Sequence, residues 1–106
     1  ALVSPFLWKN TMATTYQVAT FSELQTAIES TAVDGDVVAL TADIDVTSEI
    51  TISNRINVIS SGSQMYYLDG GGNSRIFSIH NSVNVSNLKF QNGNAYSEYG
   101  GAIYHP

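Results

Sequence analysis

The chain has 106 residues, enough for one domain, and carries 4 Lys+Arg against 9 Asp+Glu, a net charge of −5. Its four scattered cations, Lys9, Arg55, Arg75 and Lys89, are too few for a phosphate-tracking stripe or a basic membrane-surface helix. A hydrophobic content of 43% excludes a disordered chain, and with no cysteine there is no disulfide framework, thiolate metal site or cysteine nucleophile. No apolar run reaches the ~18 residues of a membrane span. The apolar start, Ala1 to Lys9, lacks the basic n-region and clear cleavage site of a signal peptide. Residues 1–15 therefore read as a leader or linker, and 16–106 as the folded unit. Phe21, Leu24, Ala27 and Ile28 lie at helical spacing behind a Thr20–Glu23 capping box, with Ser22 and Gln25 as the alternative cap. This helix should end near Ser30, before the turn at 33–36. Short apolar runs then follow at 37–40, 44–46, 50–52, 56–59, 66–68, 76–79, 83–85, 88–90 and 102–104.

Runs of three or four residues are short for a sandwich, where about 5–6 is the mode. Their spacing suggests stacked coils instead. Runs 44–46, 66–68 and 88–90 recur every 22 residues; 50–52, 76–78 and 103 recur at 26 to 27; 37–40, 56–59 and 83–85 recur at 19 and 27. Three interleaved series predict three strands per turn, parallel stacking, and insertions confined to turns. The alternative is a small antiparallel meander. No Asn-Gly or Asp-Gly pair joins two long alternating strands as such a meander would favour. A first rung exposes an open apolar end that needs a cap. Leu24 and Ile28 supply the apolar stripe for it.

The Phe-Ser-x-Leu-x-x-Ala-Ile helix from Phe21 is followed by Gly35 to Leu40, Ile50-Thr51-Ile52 and Asn57-Val58-Ile59. After these come Leu68-Asp69-Gly70-Gly71-Gly72, a run from Leu88 to Ala95, and Gly100-Gly101-Ala102-Ile103-Tyr104. In this order the motifs resemble the N-terminal part of a right-handed parallel β-helix of the pectate-lyase-like superfamily. More narrowly, they resemble proteins with polymorphic outer-membrane protein repeats. Gly100, Gly101, Ala102 and Ile103 match the Gly-Gly-Ala-Ile element. The Phe-x-x-Asn element is departed from: after Phe90, asparagine stands at Asn92 and Asn94, with Gly93 between. The resemblance implies an all-β fold with a capping helix and two to three coils, truncated at its C-terminal end. It also implies a secreted or cell-surface, outer-membrane-associated protein of adhesin or autotransporter-passenger type. Other branches of the superfamily are polysaccharide lyases and glycoside hydrolases, so the fold does not decide the function.

The chemistry-bearing residues read mainly as structural. Asp34, Asp36, Asp43 and Asp45 form two Asp-x-Asp pairs, suited to Ca²⁺ or glycosidase work but also to turns, where Asx side chains bond their own backbone. Asp69-Gly70-Gly71-Gly72 opens no helix, and Arg75 stands where a dinucleotide fingerprint or a calcium nonapeptide needs Gly or Asp. It reads as a glycine corner. His80 and His105 end comparable strands but have no evident third ligand. The asparagines, among them Asn92, recur near strand ends, where inward ladders can form. With Tyr66, Tyr67, Tyr96, Tyr99 or Tyr104 as platforms they would instead bind sugar. Asn84-Val85-Ser86 is a glycosylation sequon. Neither Lys89 nor Arg75 has the carboxylate cluster a lyase would need. The expected function is non-enzymatic presentation of a binding face to a host surface or polysaccharide. No cofactor and no nucleic-acid partner is expected; end-to-end self-association is possible through the strand at 102–104. The alternatives are the front of a polysaccharide lyase or glycoside hydrolase whose catalytic site lies beyond Pro106, and a pure scaffold.

Overall fold

The β-branched runs form strands, and every described strand pair is parallel. A computed structural model describes residues 13–72 and 75–93 and the backbone of 103–104. The strands are β1 (Thr15–Val18), β2 (Val37–Leu40), β3 (Ile44–Asp45), β4 (Ile50–Ile52), β5 (Asn57–Ser60), β6 (Tyr66–Asp69), β7 (Phe77–Ile79), β8 (Asn84–Val85), β9 (Leu88–Gln91) and β10 (Ile103–Tyr104). They make three parallel sheets, ordered β1-β2-β5-β8, β3-β6-β9 and β4-β7-β10. From β2 onward the chain visits the three sheets in fixed rotation, so each strand pairs with the one three places later. Little of the chain is helical: α1 (Phe21–Thr26) runs directly into a π-helical turn, Ala27–Thr31.

Alternation within each strand builds the core. Tyr16, Val38, Val58 and Val85 form one inward column across the first sheet; Val18, Leu40 and Ser60 form the next. Ile44 stacks on Leu68 and Leu68 on Phe90; Ile50 stacks on Phe77 and Ile52 on Ile79. Phe77 meets Phe90 edge-on, with ring centroids 5.8 Å apart, which ties two sheets together. Ser60 is the polar member of its column. Its hydroxyl donates to the Asn87 carbonyl (2.8 Å) and accepts from the Tyr66 N–H (2.9 Å), so its burial leaves nothing unsatisfied.

Thr20 caps the helix as its sequence predicts, and the Glu23 carboxylate reaches back one residue beyond it, to Ala19. The Glu23 N–H donates to Thr20 Oγ1 (3.1 Å), and the Glu23 carboxylate accepts from the Ala19 N–H (2.8 Å). Leu24 and Ile28 are buried. The π-helical turn packs against β4, the first strand of its sheet. There Glu29 Oε2 accepts from the Thr51 N–H (2.9 Å), and Asn54 Nδ2 donates to the Ala32 carbonyl (2.8 Å). The turn thus occupies a sheet edge and meets a backbone donor that would otherwise face water.

Four features differ from the sequence expectation. Strand β1 precedes the helix and begins at Thr15, on the leader side of the boundary set at residue 16; it pairs with β2 from Thr15↔Val37. Ile44 pairs with Leu68, not Tyr66. This two-residue shift is taken up by the loop between β5 and β6 and leaves the inward face unchanged. Val37 pairs with Asn57, not Ile56, and Ile50 with Phe77, not Ile76. Ile56 and Ile76 are buried in the corners just before their strands. Ile103 and Tyr104 pair with Phe77 and Ser78, the neighbours expected for that segment.

Leu24→Ala should lower the unfolding free energy by about 2–5 kcal/mol, the cost of a buried leucine truncation. Glu29→Ala should cost about 1 kcal/mol through the lost edge bond. Urea unfolding measures both; an unchanged midpoint for Leu24→Ala would remove the helix from the core.

Candidate functional site

Residues facing away from the core lie on the sheets' outer faces, where any ligand must meet them. On the first sheet one outward row runs through Thr15, Val37, Asn57 and Asn84, one rung apart and in register. Gly35, Arg55 and Ser82 each stand two residues before a member of that row. Together with Asp34, Ile56 and Val83 they line a groove of about 760 Å³ that includes Asn57 and Asn84. It continues into a depression of about 400 Å³ lined by Val37, Asn57, Ile59, Asn84, Val85 and Ser86. Gly35 has φ +93°, with no other atom near where a Cβ would stand. Another residue there would strain the turn and fill the end of the groove.

The groove's polar groups are held by bonds between circuits. Asp34 Oδ1 accepts from the Arg55 N–H (2.9 Å), and Arg55 Nε donates to Asn81 Oδ1 (3.4 Å). Asn81 Nδ2 reaches the Ser53 carbonyl (3.1 Å), and Asn84 Nδ2 donates to Asn57 Oδ1 (3.0 Å). The Asn57–Asn84 pair is a ladder step, but it lies on the outer face and not inward as the sequence suggested.

A second polar face lies on the β3-β6-β9 sheet. Asp45 is in register with Asp69, and Asp69 with Gln91; Tyr67 is in register with Lys89. Asp69 accepts four bonds, one from its own corner and three from the next circuit. Its Oδ1 accepts from the Gly71 N–H (2.7 Å) and Asn92 Nδ2 (3.0 Å); its Oδ2 accepts from Gln91 Nε2 (2.8 Å) and Asn92 Nδ2 (3.2 Å). Asn92 takes the left-handed conformation, φ 54°, which asparagine tolerates better than other side-chain-bearing residues. The Gln91 amide first, then the Gly71 N–H and the Asn92 amide, hold the Asp69 carboxyl below its ordinary pKa.

The other sequence candidates take structural positions. Asp36 is buried and accepts from the Thr14 and Val33 N–H groups, both at 3.0 Å. Asp43 accepts from the Tyr67 N–H (2.9 Å). Asp34 and Asp43 therefore clasp the next circuit, while Asp36 bonds its own turn at Val33, as its turn position predicts, and also the segment before β1 at Thr14. Gly70, Gly71 and Gly72 form the corner after β6; Gly70 donates to the Gln91 carbonyl (2.9 Å) and Gly72 to the Asn92 carbonyl (2.7 Å). His80 Nε2 lies 2.9 Å from Ser78 Oγ. Arg75 pairs with Glu49 at 2.7 Å. Gly100, Gly101, Ala102, His105, Asn94, Tyr96 and Tyr99 lie outside the described residues, and of Ile103 and Tyr104 only the backbone is described. Among the described residues, no three His, Cys, Asp or Glu side chains are grouped to hold a metal ion, and no helix is long and apolar enough to cross a membrane.

Sequence reasoning missed the groove. Its signal was the common offset of Gly35, Arg55 and Ser82 before Val37, Asn57 and Asn84, visible only once the register is correct. The chain matches no protein-family model, and no curated protein or solved structure is found similar to it.

Because the folded-state pKa of Asp69 is lowered, its contribution to stability is present above the unfolded value, near 4. It is lost as the pH falls through the folded value. Asp69→Ala should therefore lower the thermal midpoint at pH 7, and the gap from the parent chain should shrink toward pH 2. Circular-dichroism melts across this range test it; a gap that stays constant with pH would show that the carboxylate's charge is not the cause.

Proposed function

We propose that this chain is the cap and first coils of a right-handed parallel β-helix, secreted or displayed at a cell surface, and that it binds through its outer sheet faces. The rotation of strands among three parallel sheets supports the coil. Right-handedness rests on the strong bias of parallel crossovers. The low charge of the chain, with its many Ser, Thr and Asn residues, suits an extracellular surface.

One observation carries the binding role: polar side chains stacked in register along the groove, each oriented by a bond between circuits. A rigid sheet that presents fixed donors and acceptors suits a binding role. Of the carboxylates beside it, Asp36 has both oxygens bonded to backbone N–H groups and Asp34 has one. This favours binding over acid–base catalysis in this stretch.

The test is adsorption of the fluorescently labelled chain to arrays of glycans and extracellular-matrix proteins. Specific signal is expected, competed by unlabelled chain and reduced at least fivefold by Asn84→Lys, which replaces an outward side chain and its bond to Asn57; a thermal melt checks that the fold persists. No specific signal on either array would overturn the binding role.

A further inference from the structure

We propose that the groove on the β1-β2-β5-β8 sheet is a site for a neutral, linear glycan, an inference that rests on the binding role above. The bond from Asn84 Nδ2 to Asn57 Oδ1 (3.0 Å) uses one N–H of Asn84 and one lone pair of Asn57. It fixes both amides in one orientation. Asn57 Nδ2 is left with its donors, and Asn84 Oδ1 with its acceptor capacity, one rung apart. Arg55 is anchored through its backbone N–H and its Nε, so its two terminal nitrogens remain as donors at the same groove. Asp34 spends Oδ1 on that anchor and keeps Oδ2 as an acceptor. The groove thus offers donors and acceptors alternately, beside aliphatic surface from Val37 and Ile59.

Sugar hydroxyls both donate and accept, and adjacent hydroxyls need such alternation. Their C–H faces need aliphatic surface. The local charges, Arg55 and Asp34, balance, while the chain carries −5 overall, which repels a polyanion. A peptide adding as a strand would need free backbone groups. Across the groove β2 and β5 are paired on both sides, and β8 is the edge strand of the described sheet, so an added peptide strand would run along β8 and not across the row of side chains. Its polar row runs across the rungs, spaced about 4.8 Å apart, so an elongated ligand can meet several at once. No aromatic side chain lines it, and the site therefore holds its ligand by hydrogen bonds, with weak affinity per sugar.

The experiment is nuclear magnetic resonance titration of the ¹⁵N-labelled chain with cellohexaose, mannohexaose and xylohexaose, and with hexagalacturonate as the anionic arm. At least one neutral hexasaccharide should shift the side-chain amides of Asn57 and Asn84 and the Arg55 Nε–H. Asn57→Ala and Asp34→Asn should each weaken binding by about fivefold or more, as expected for one lost hydrogen bond. Lys89→Ala, on another sheet, should change nothing. Asn57 is only half-buried, and a thermal melt of each variant confirms that the fold persists. The proposal is overturned if no neutral hexasaccharide binds, if binding survives Asn57→Ala unchanged, or if hexagalacturonate binds tighter than all three. Array binding confined to protein ligands would sink this site's ligand class and leave the binding role standing.

Discussion

Every feature of this chain depends on each strand meeting the strand one circuit later in the correct register. The strands are two to four residues long, so each ladder contributes few hydrogen bonds, at about 1 kcal/mol apiece. Backbone pairing alone cannot choose among neighbouring registers, because every residue offers the same donor and acceptor. Two further constraints choose. Inward alternation penalises a one-residue slip, since Val38, Leu40 and Val58 would turn outward. Corner side chains then fix the choice by reaching backbone on the neighbouring circuit: Asp34 to Arg55, Asp43 to Tyr67, Asn54 to Ala32, Asn81 to Ser53. These bonds tolerate circuits of different length because they tie corner to corner.

This arrangement explains which parts of the fold could be read from the sequence. The all-β character, the parallel rotation through three series and the capping helix were legible, since each rests on local pattern: short β-branched runs, their recurrence, and an amphipathic stripe behind a capping box. Register was not. Ile56 and Ile76 are as buried as the strand residues that follow them, so hydrophobicity does not mark where a strand begins. Strand β1 escaped because Thr-Tyr-Gln-Val has only two apolar positions and follows a segment with no readable pattern. Its identity as a strand comes from pairing with Val37–Leu40, a tertiary fact.

The candidate site was less legible for a related reason. Asp34, Arg55, Asn57 and Asn84 are separately ordinary residues at turns and strand starts. They become a site only when the circuits stack, and a one-residue error in register scatters them. The aspartates misled in a specific way. Turn propensity assigns an Asx side chain to its own backbone, and Asp69 does accept from the nearby Gly71 N–H. Yet most of its bonds, and those of Asp34 and Asp43, cross to another circuit. Where circuits stack in parallel sheets, the nearest unpaired donor is often above or below, not along the chain.

The same bonds that fix the register also orient the groove. Asp34 spends one oxygen holding Arg55 and keeps the other as an acceptor; Asn84 spends one N–H on Asn57 and leaves both amides aligned. A side chain already held in its binding orientation loses little freedom when a ligand arrives, and that saving is worth roughly 0.5–1.5 kcal/mol for each flexible group. A groove without aromatic platforms has little other source of affinity for hydroxylated ligands. Its strength must come from several pre-oriented polar groups engaged together, and the in-register strands provide them in a row. Stability and recognition are therefore coupled at these residues: a substitution that loosens a corner clasp also blurs the groove, even where it removes no atom that a ligand would touch.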